Sequence, residues 1–308
     1  MAQLPSRRKN KTDRNEHQSV TRFYVKSAGT VMDFLMSQMQ GKSRTSIKQL
    51  LSGGHIRVNE RTVTNFGQSV SPGDVVYMEK NKKRVIKLPS SMKIVFEDDH
   101  LIVVNKDAGL LSMSTSKENR HTAYAYLSEY VKQHDERNKI FIVHRLDRDT
   151  SGLMMFAKDQ KIQEQLQKKW NDTVLCRKYF ALVEGFVLKE QNTIHTWLHE
   201  HPKSLKVYVS QPGEGVEATT NYRVIDGSRF YSLLEVELDT GRKNQIRVHM
   251  QHIGHPITGD SKYGARHDPM KRLGLHAAEL TFVHPLTNKT LSFKTTVPPA
   301  FYRTMQEE

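Results

Sequence analysis

The nonapeptide His144-Arg145-Leu146-Asp147-Arg148-Asp149-Thr150-Ser151-Gly152 sits between two apolar runs, Ile140-Phe141-Ile142-Val143 and Leu153-Met154-Met155-Phe156-Ala157. Each run has strand length and β-compatible residues, so the segment reads as a charged loop joining two strands. No other feature constrains the fold as much. It calls for a sheet that fixes a carboxylate at a loop tip while leaving it reachable. A plain turn is the alternative, and Asp149-Thr150-Ser151-Gly152 alone would supply its turn formers. A turn does not need arginines alternating with aspartates beside a histidine, so the segment is read as functional.

The rest of the chain is organised around this loop. Its 308 residues suffice for two domains, the larger with a full core. Residues 1–22 read as a disordered basic arm, carrying Arg7, Arg8, Lys9, Lys11 and Arg14 and few apolar residues. Residues 23–80 form a small domain. Met32, Leu35, Met36 and Met39 recur at helical spacing, as do Ile47, Leu50 and Leu51, and Gly53-Gly54 ends the second helix. Strands at 55–59 and 75–78 follow, with turns at Asn59-Glu60-Arg61 and Pro72-Gly73-Asp74. A basic linker spans 81–91, and a second domain spans 92–308. There Leu101–Lys106 reads as a buried strand, Thr122–Gln133 and Gln160–Lys169 as helices, and Tyr231–Leu238 as a half-buried antiparallel strand.

Charge narrows the function. Lys and Arg number 47 against 33 acidic residues, a net +14, which points to a polyanionic partner, either nucleic acid or an acidic membrane surface, and the clustering of the charge favours nucleic acid over a charge that serves no partner. The bland alternative is a basic protein whose charge serves no partner. Cys176 is the only cysteine, so an intramolecular disulfide framework is excluded. No apolar stretch approaches the roughly 18 residues of a membrane span, and the N-terminus lacks a signal-peptide core. A cytoplasmic, soluble protein is expected, and a monomer, since no coiled-coil or long apolar seam is present.

The first helix–helix–hairpin unit, Ser43 to Asp74, is similar to the S4 RNA-binding domain. Arg44, Lys48, Gly53, His55, Arg57 and Asn59 stand where that module places RNA-facing and turn residues. Arg44, Lys48 and Arg57 would then line one edge with positive charge for a phosphate backbone, rather than being merely solvated helix charges.

Three further segments join the central loop: Cys176–Gly185 with a tyrosine at the start of a strand, Thr240–His249 turning from strand into helix, and Arg272–Ala277 opening a strand. Together with His144–Gly152, and in this order, they resemble the RluA-type pseudouridine synthases, which isomerise uridine in ribosomal and transfer RNA. The likeness runs from about Ile94 to Pro299. It implies an α+β fold: a catalytic domain with a mixed, mostly antiparallel sheet, preceded by a small α/β S4 domain. It also implies residue roles. Asp147 falls at the nucleophile, Arg145 at the arginine that fills the gap left by the flipped base, and Tyr179 at the tyrosine that packs on the base and assists proton removal. Arg247 falls at the arginine paired with the catalytic carboxylate, and Leu275 in the motif flanking the uracil pocket.

The chemistry suits those residues. The N1–C1′ bond breaks, the uracil rotates and C5 joins C1′, with no redox change and no group lost, so neither cofactor nor metal is expected. One carboxylate can add and leave again. Burial favours its neutral acid, and a guanidinium offsets this by favouring the charged form. The base must leave its stack, at a cost of a few kcal/mol, and a planar cation and an aromatic ring suit that exchange.

Large-subunit (23S) ribosomal RNA is the expected substrate, with transfer RNA as the alternative. A non-catalytic RNA-binding or ribosome-assembly factor is the rival reading, and a metal hydrolase using Asp147 or the histidines a weaker one. His249, His252 and His255 are spaced by three but lack a partnering acidic or thiolate set, and read as helix and helix-end residues. The chain departs from the family pattern at Asn244, where histidine is usual, at Arg177, where lysine is common, and at Asp107, where proline is usual. As a helix N-cap, Asn244 would bond a free backbone N–H with its side chain.

Overall fold

A computed structural model of the chain describes residues 20–79, 88–114, 121–133 and 135–306. The chain divides into two compact units, Met1–Val85 and Ile86–Glu308. Most of the expected arm and linker falls outside the described residues. The arm's boundary is corrected at its end, because Val20–Tyr24 is a strand paired antiparallel with Val75–Glu79.

In the first unit, the strands Val20–Tyr24, Val75–Glu79, Ile56–Val58 and Arg61–Thr62 form an antiparallel sheet in that order. The helices Val31–Gln38 and Arg44–Ser52 pack with it. Each starts at a side-chain cap: Thr30 accepts from the Asp33 N–H and Ser43 from the Ser46 N–H, both at 3.2 Å. These caps satisfy N–H groups that a helix leaves free at its start. Met32, Leu35, Met39, Ile47 and Leu51 are buried against Ile56 and Val76, each worth roughly 1.5–3 kcal/mol when fully removed from water. Met36 departs from the expected stripe and is exposed.

The second unit is built on an eleven-stranded sheet. Its path runs Val207–Ser210, Gln191–Glu200, Val216–Gly227, Tyr231–Leu238, Val174–Glu184, Leu275–Val283, Ser151–Ala157, Leu101–Lys106, Met92–Glu97. Thr290–Lys294 pairs with Leu275–Val283, and Phe141–Ile142 with Ser151–Ala157. Every pairing is antiparallel except Ser151–Ala157 against Leu275–Val283. The fold is therefore α+β with a mixed, mostly antiparallel sheet.

Strand alternation explains the continuous apolar run after the loop. Met154 and Phe156 join one core with Ile102, Val104 and Leu127. Leu153, Met155 and Ala157 join another with Leu101, Val103, Ile162 and Leu166. Both faces are covered, so no polar alternation survives. Tyr231–Leu238 was expected to be half-buried and is corrected: Leu234 and Val236 face one core, while Leu233 packs with Phe301 and Met305. The helix Pro299–Gln306 supplies that second cover.

Candidate active site

The charged loop spans residues 143–150, between the strands Phe141–Ile142 and Ser151–Ala157. It is held on both sides of Asp147. Before it, the His144 ring accepts from the Met155 N–H at 3.0 Å; burial pushes this imidazole down to about 3, so it is a neutral acceptor at pH 7. The Ser112 hydroxyl donates to the Leu146 carbonyl at 2.7 Å and accepts from its N–H at 3.2 Å. After it, the Lys106 ammonium donates to the carbonyls of Arg148, Leu110 and Asp107 at 3.0, 2.8 and 3.1 Å. Lys106 is fully buried, and burial lowers it to about 8 against the opposing pull of Asp149 and Asp147. A turn closed by the Thr150 N–H on the Asp147 carbonyl completes the loop.

Arg247 comes from the helix Gln245–His252. Its Nη1 donates to Asp147 Oδ2 at 3.1 Å, while Nε and Nη2 clamp the buried Asp260 at 2.7 and 2.8 Å. Burial alone would weaken the charge, but Asp260 and then Asp147 hold this guanidinium above its ordinary value. Arg247 therefore stays a fixed cation with one N–H group directed at the loop carboxylate. The Arg247–Asp147 contact joins residues 100 positions apart. Asp260 gave no signal in the sequence, where it is one acid in a polar loop.

The helix start differs from expectation. Asn244 takes the cap position in a left-handed conformation, φ 54°, and its side chain makes no cap hydrogen bond. The Gln245 side chain fixes the turn instead. Its oxygen accepts from the Arg242 N–H and the Thr240 hydroxyl, both at 2.9 Å, and its amide donates to the Thr219 carbonyl and the Thr220 hydroxyl, also at 2.9 Å. His249 is buried between Thr196 and Thr220, and burial lowers it to about 4. His255 bonds the Glu184 carbonyl at 2.9 Å. Among the described residues, no three His, Cys, Asp or Glu side chains come together as a metal site.

Tyr179 lies within the strand Val174–Glu184 rather than at its start. A register shift against Leu275–Val283 falls between Lys178 and Tyr179, the kind of irregularity that re-aims a side chain near a site. Burial raises the phenol, with Arg177 opposing and Asp147 adding to the rise, so Tyr179 is neutral at pH 7. Arg177 stacks over Trp170 at 5.6 Å and donates to the Leu238 and Asp239 carbonyls at 3.0 and 3.2 Å, anchoring the turn that leads to Arg247.

These elements converge. Arg145, Asp147, Tyr179, Arg247 and Leu275 all line one cavity of about 70 Å³, with Leu238, Ile246, Arg242 and Asn244 completing its walls. Arg145 is exposed and makes no ion pair among the described residues. In the first unit, Arg44 and Lys48 are exposed one turn apart on a single helix, with the Lys48 ammonium 4.9 Å over the Phe66 ring. Arg57 differs from them: it lies 2.9 Å from Glu79, without an aligned hydrogen bond, and 5.1 Å over the Tyr77 ring, so its charge is already shared.

Both units of the chain are similar to known protein families. Residues 100–252 match the family model described as RNA pseudouridylate synthase, and residues 31–76 match the S4 domain. An uncharacterized RNA pseudouridine synthase of Bacillus subtilis, YhcT, is 34% identical over 81% of this chain and 83% of its own length. The ribosomal large subunit pseudouridine synthase D of Haemophilus influenzae is 30% identical over 84% and 85%. The tRNA pseudouridine synthase C of Vibrio parahaemolyticus is 33% identical over 68% and 92%. Among solved structures, human RNA pseudouridylate synthase domain containing 4 shares the fold, with a TM-score of 0.56 at 22% identity over 69% of this chain and 91% of that one. The chain belongs to the RNA pseudouridine synthase family and carries an S4 RNA-binding domain ahead of its catalytic domain. It is an isomerase that modifies RNA.

Proposed function

We propose that this enzyme converts uridine to pseudouridine in large-subunit ribosomal RNA, with Asp147 as nucleophile. The observation that carries the reading is the Asp147–Arg247–Asp260 arrangement. A partly exposed carboxylate has one oxygen held by a half-buried, permanently charged guanidinium, and Tyr179 and Leu275 line the same cavity. Asp147 adds to the nucleoside, the glycosidic bond breaks, and the detached uracil turns so that C5 meets C1′. The C5 proton is then lost, N1 gains one, and the carboxylate is expelled. Arg247 orients Asp147 through the Nη1 contact to Oδ2. Tyr179 packs on the base as a neutral ring; a phenol raised by burial is a poor base, which favours packing over proton removal. Arg145, free at the rim, enters the stack in place of the flipped base. Arg44 and Lys48 hold the RNA backbone, and Arg57 adds less because Glu79 shares its charge.

Coverage supports ribosomal over transfer RNA. The second unit holds under three quarters of the chain, so a match over 84% of it reaches into the S4-bearing unit; a match over 68% need not. The test is pseudouridine mapping of ribosomal and transfer RNA from cells lacking the gene, complemented with wild type or Asp147→Asn. Sites absent from large-subunit RNA and restored only by wild type are expected. Restoration by Asp147→Asn would remove the nucleophile, and loss confined to transfer RNA would replace the substrate.

A further inference from the structure

Asn244 stands where the family pattern has histidine, and its side chain points at the loop carboxylate. The hydrogen-bond pattern around it decides which end of the amide does so. With the oxygen toward Asp147, two acceptors would face each other at 2.8 Å. The Tyr263 hydroxyl would then accept from both the Val207 N–H at 3.2 Å and the Asn244 amide at 3.0 Å, with no acceptor for its own hydrogen among the described residues. With the nitrogen toward Asp147, the carboxylate, the amide oxygen and the Tyr263 hydroxyl are each matched. Val207 donates to Tyr263, the Tyr263 hydroxyl donates to Asn244 Oδ1 at 3.0 Å, and Nδ2 donates to Asp147 at 2.8 Å on Oδ2 and 3.3 Å on Oδ1. One long contact is lost, Arg247 Nη1 to Asn244 at 3.3 Å, and that nitrogen keeps Asp147.

We infer that Asn244 is a positioning residue for the catalytic carboxylate, and that Tyr263 sets the direction of its amide. The inference rests on Asp147 being the nucleophile. Arg247 reaches only Oδ2, so by itself it leaves the carboxylate free to rotate about its bond to Cβ. A second donor on the same group, bridging toward Oδ1, fixes that plane. Asparagine suits the position twice over: it tolerates the left-handed backbone observed here, and it presents an N–H where the chain turns into the helix. Tyr263 is almost fully buried beneath the Arg247 guanidinium, whose carbon lies 5.0 Å from the ring centre, so the hydroxyl has little freedom to release the amide.

The test uses the full chain acting on total RNA from cells that lack the gene. Asn244→Gly keeps the left-handed backbone and removes the donor. Its kcat should fall by roughly 10- to 100-fold, as expected for losing a hydrogen bond to a charged group, with KM changing by less than about threefold. Asn244→Asp keeps the shape and cannot donate, so it should lose at least as much, and it serves if the glycine variant is poorly folded. Asn244→His, which restores a ring N–H, should recover most of the loss. Tyr263→Phe should lower kcat in the wild-type background but leave it unchanged within about twofold in the Asn244→Gly background, because the amide it directs is gone. Full kcat in both Asn244→Gly and Asn244→Asp, a loss confined to KM, or additive effects of the two positions would each overturn the inference. Asp147→Asn assayed alongside separates the two claims: turnover in that variant would remove the nucleophile itself.

Discussion

Gly152 joins the loop that carries Asp147 to the strand that carries Leu275, and replacing it tests whether that seam positions the site. It has φ +114°, and it pairs with Ala277 at the parallel junction of Ser151–Ala157 and Leu275–Val283. A Cβ placed there would lie 2.1 Å from the Ala277 carbonyl oxygen and 2.6 Å from its nitrogen. Both are backbone atoms, so no side-chain rotation relieves the clash. Gly152→Ala therefore carries two penalties. Holding an L-residue in this backbone region costs about 1–3 kcal/mol, and the overpacking, which must part the strands, costs about 1–3 kcal/mol more. For a unit of this size, about 4 kcal/mol lowers Tm by roughly 8–16 °C. Gly109→Ala separates the terms, since Gly109 has φ +89° but an added Cβ would meet nothing within 4 Å; it should show only the backbone part. Calorimetry of both variants gives the stability difference, and kinetics gives the functional one. Parting the seam shifts Asp147 relative to Leu275, so kcat should fall on the order of 100-fold in Gly152→Ala at temperatures where it stays folded. A Tm no lower than that of Gly109→Ala, with full kcat, would refute the seam as the device that positions the site.

Other expected outcomes follow from the same contacts. Arg247→Ala leaves the buried Asp260 without its bidentate partner, so urea unfolding should show a loss of about 3–5 kcal/mol, with turnover abolished; unchanged stability would mean that Asp260 finds another donor. Lys106 contributes a definite pH dependence. Its folded value near 8 lies below the ordinary 10.5, so between those limits the unfolded chain binds more protons and stability rises with pH. The full penalty of burying the charge applies below pH 8, and roughly 3 kcal/mol is recovered by pH 10.5. The difference in unfolding free energy between wild type and Lys106→Met should trace that rise, and a flat difference curve would contradict it. For RNA binding, Arg44→Ala with Lys48→Ala should reduce the slope of log K against log salt by about 1.4–1.8, while Arg57→Ala should reduce it by less, measured by titration at several salt concentrations.

Why some of this was readable from the sequence and some was not comes down to the range of the interactions involved. The loop at 143–150 announces itself because its flanks are continuous apolar runs and its own residues are charged, a contrast that lies within the eighteen positions from Ile140 to Ala157. The helices at Val31, Arg44, Ala123 and Gln160 carry their start signals beside them, in Thr30, Ser43, Thr122 and Asp159. By contrast, whether a strand is covered on one face or two depends on what packs there, and Leu233 is covered by Phe301 and Met305, nearly seventy residues later. Lys106 ends a strand that reads as buried, but the sequence does not show the three carbonyls that converge on its ammonium; Arg57 reads as free and is not, because Glu79 lies near it across the sheet. The site shows the same division. Asp147, Tyr179 and Arg247 could be named because their motifs resemble a family, not because any spacing foretold that Arg247 would meet Asp147 across 100 residues. Asn244 stands between these cases. Its type suggested a helix cap, which is the common local use of asparagine. What redirects it is its left-handed backbone, which turns the amide away from the helix and toward Tyr263 and Asp147. A local preference was outweighed by two distant partners, and that conflict marks the residue as part of the site.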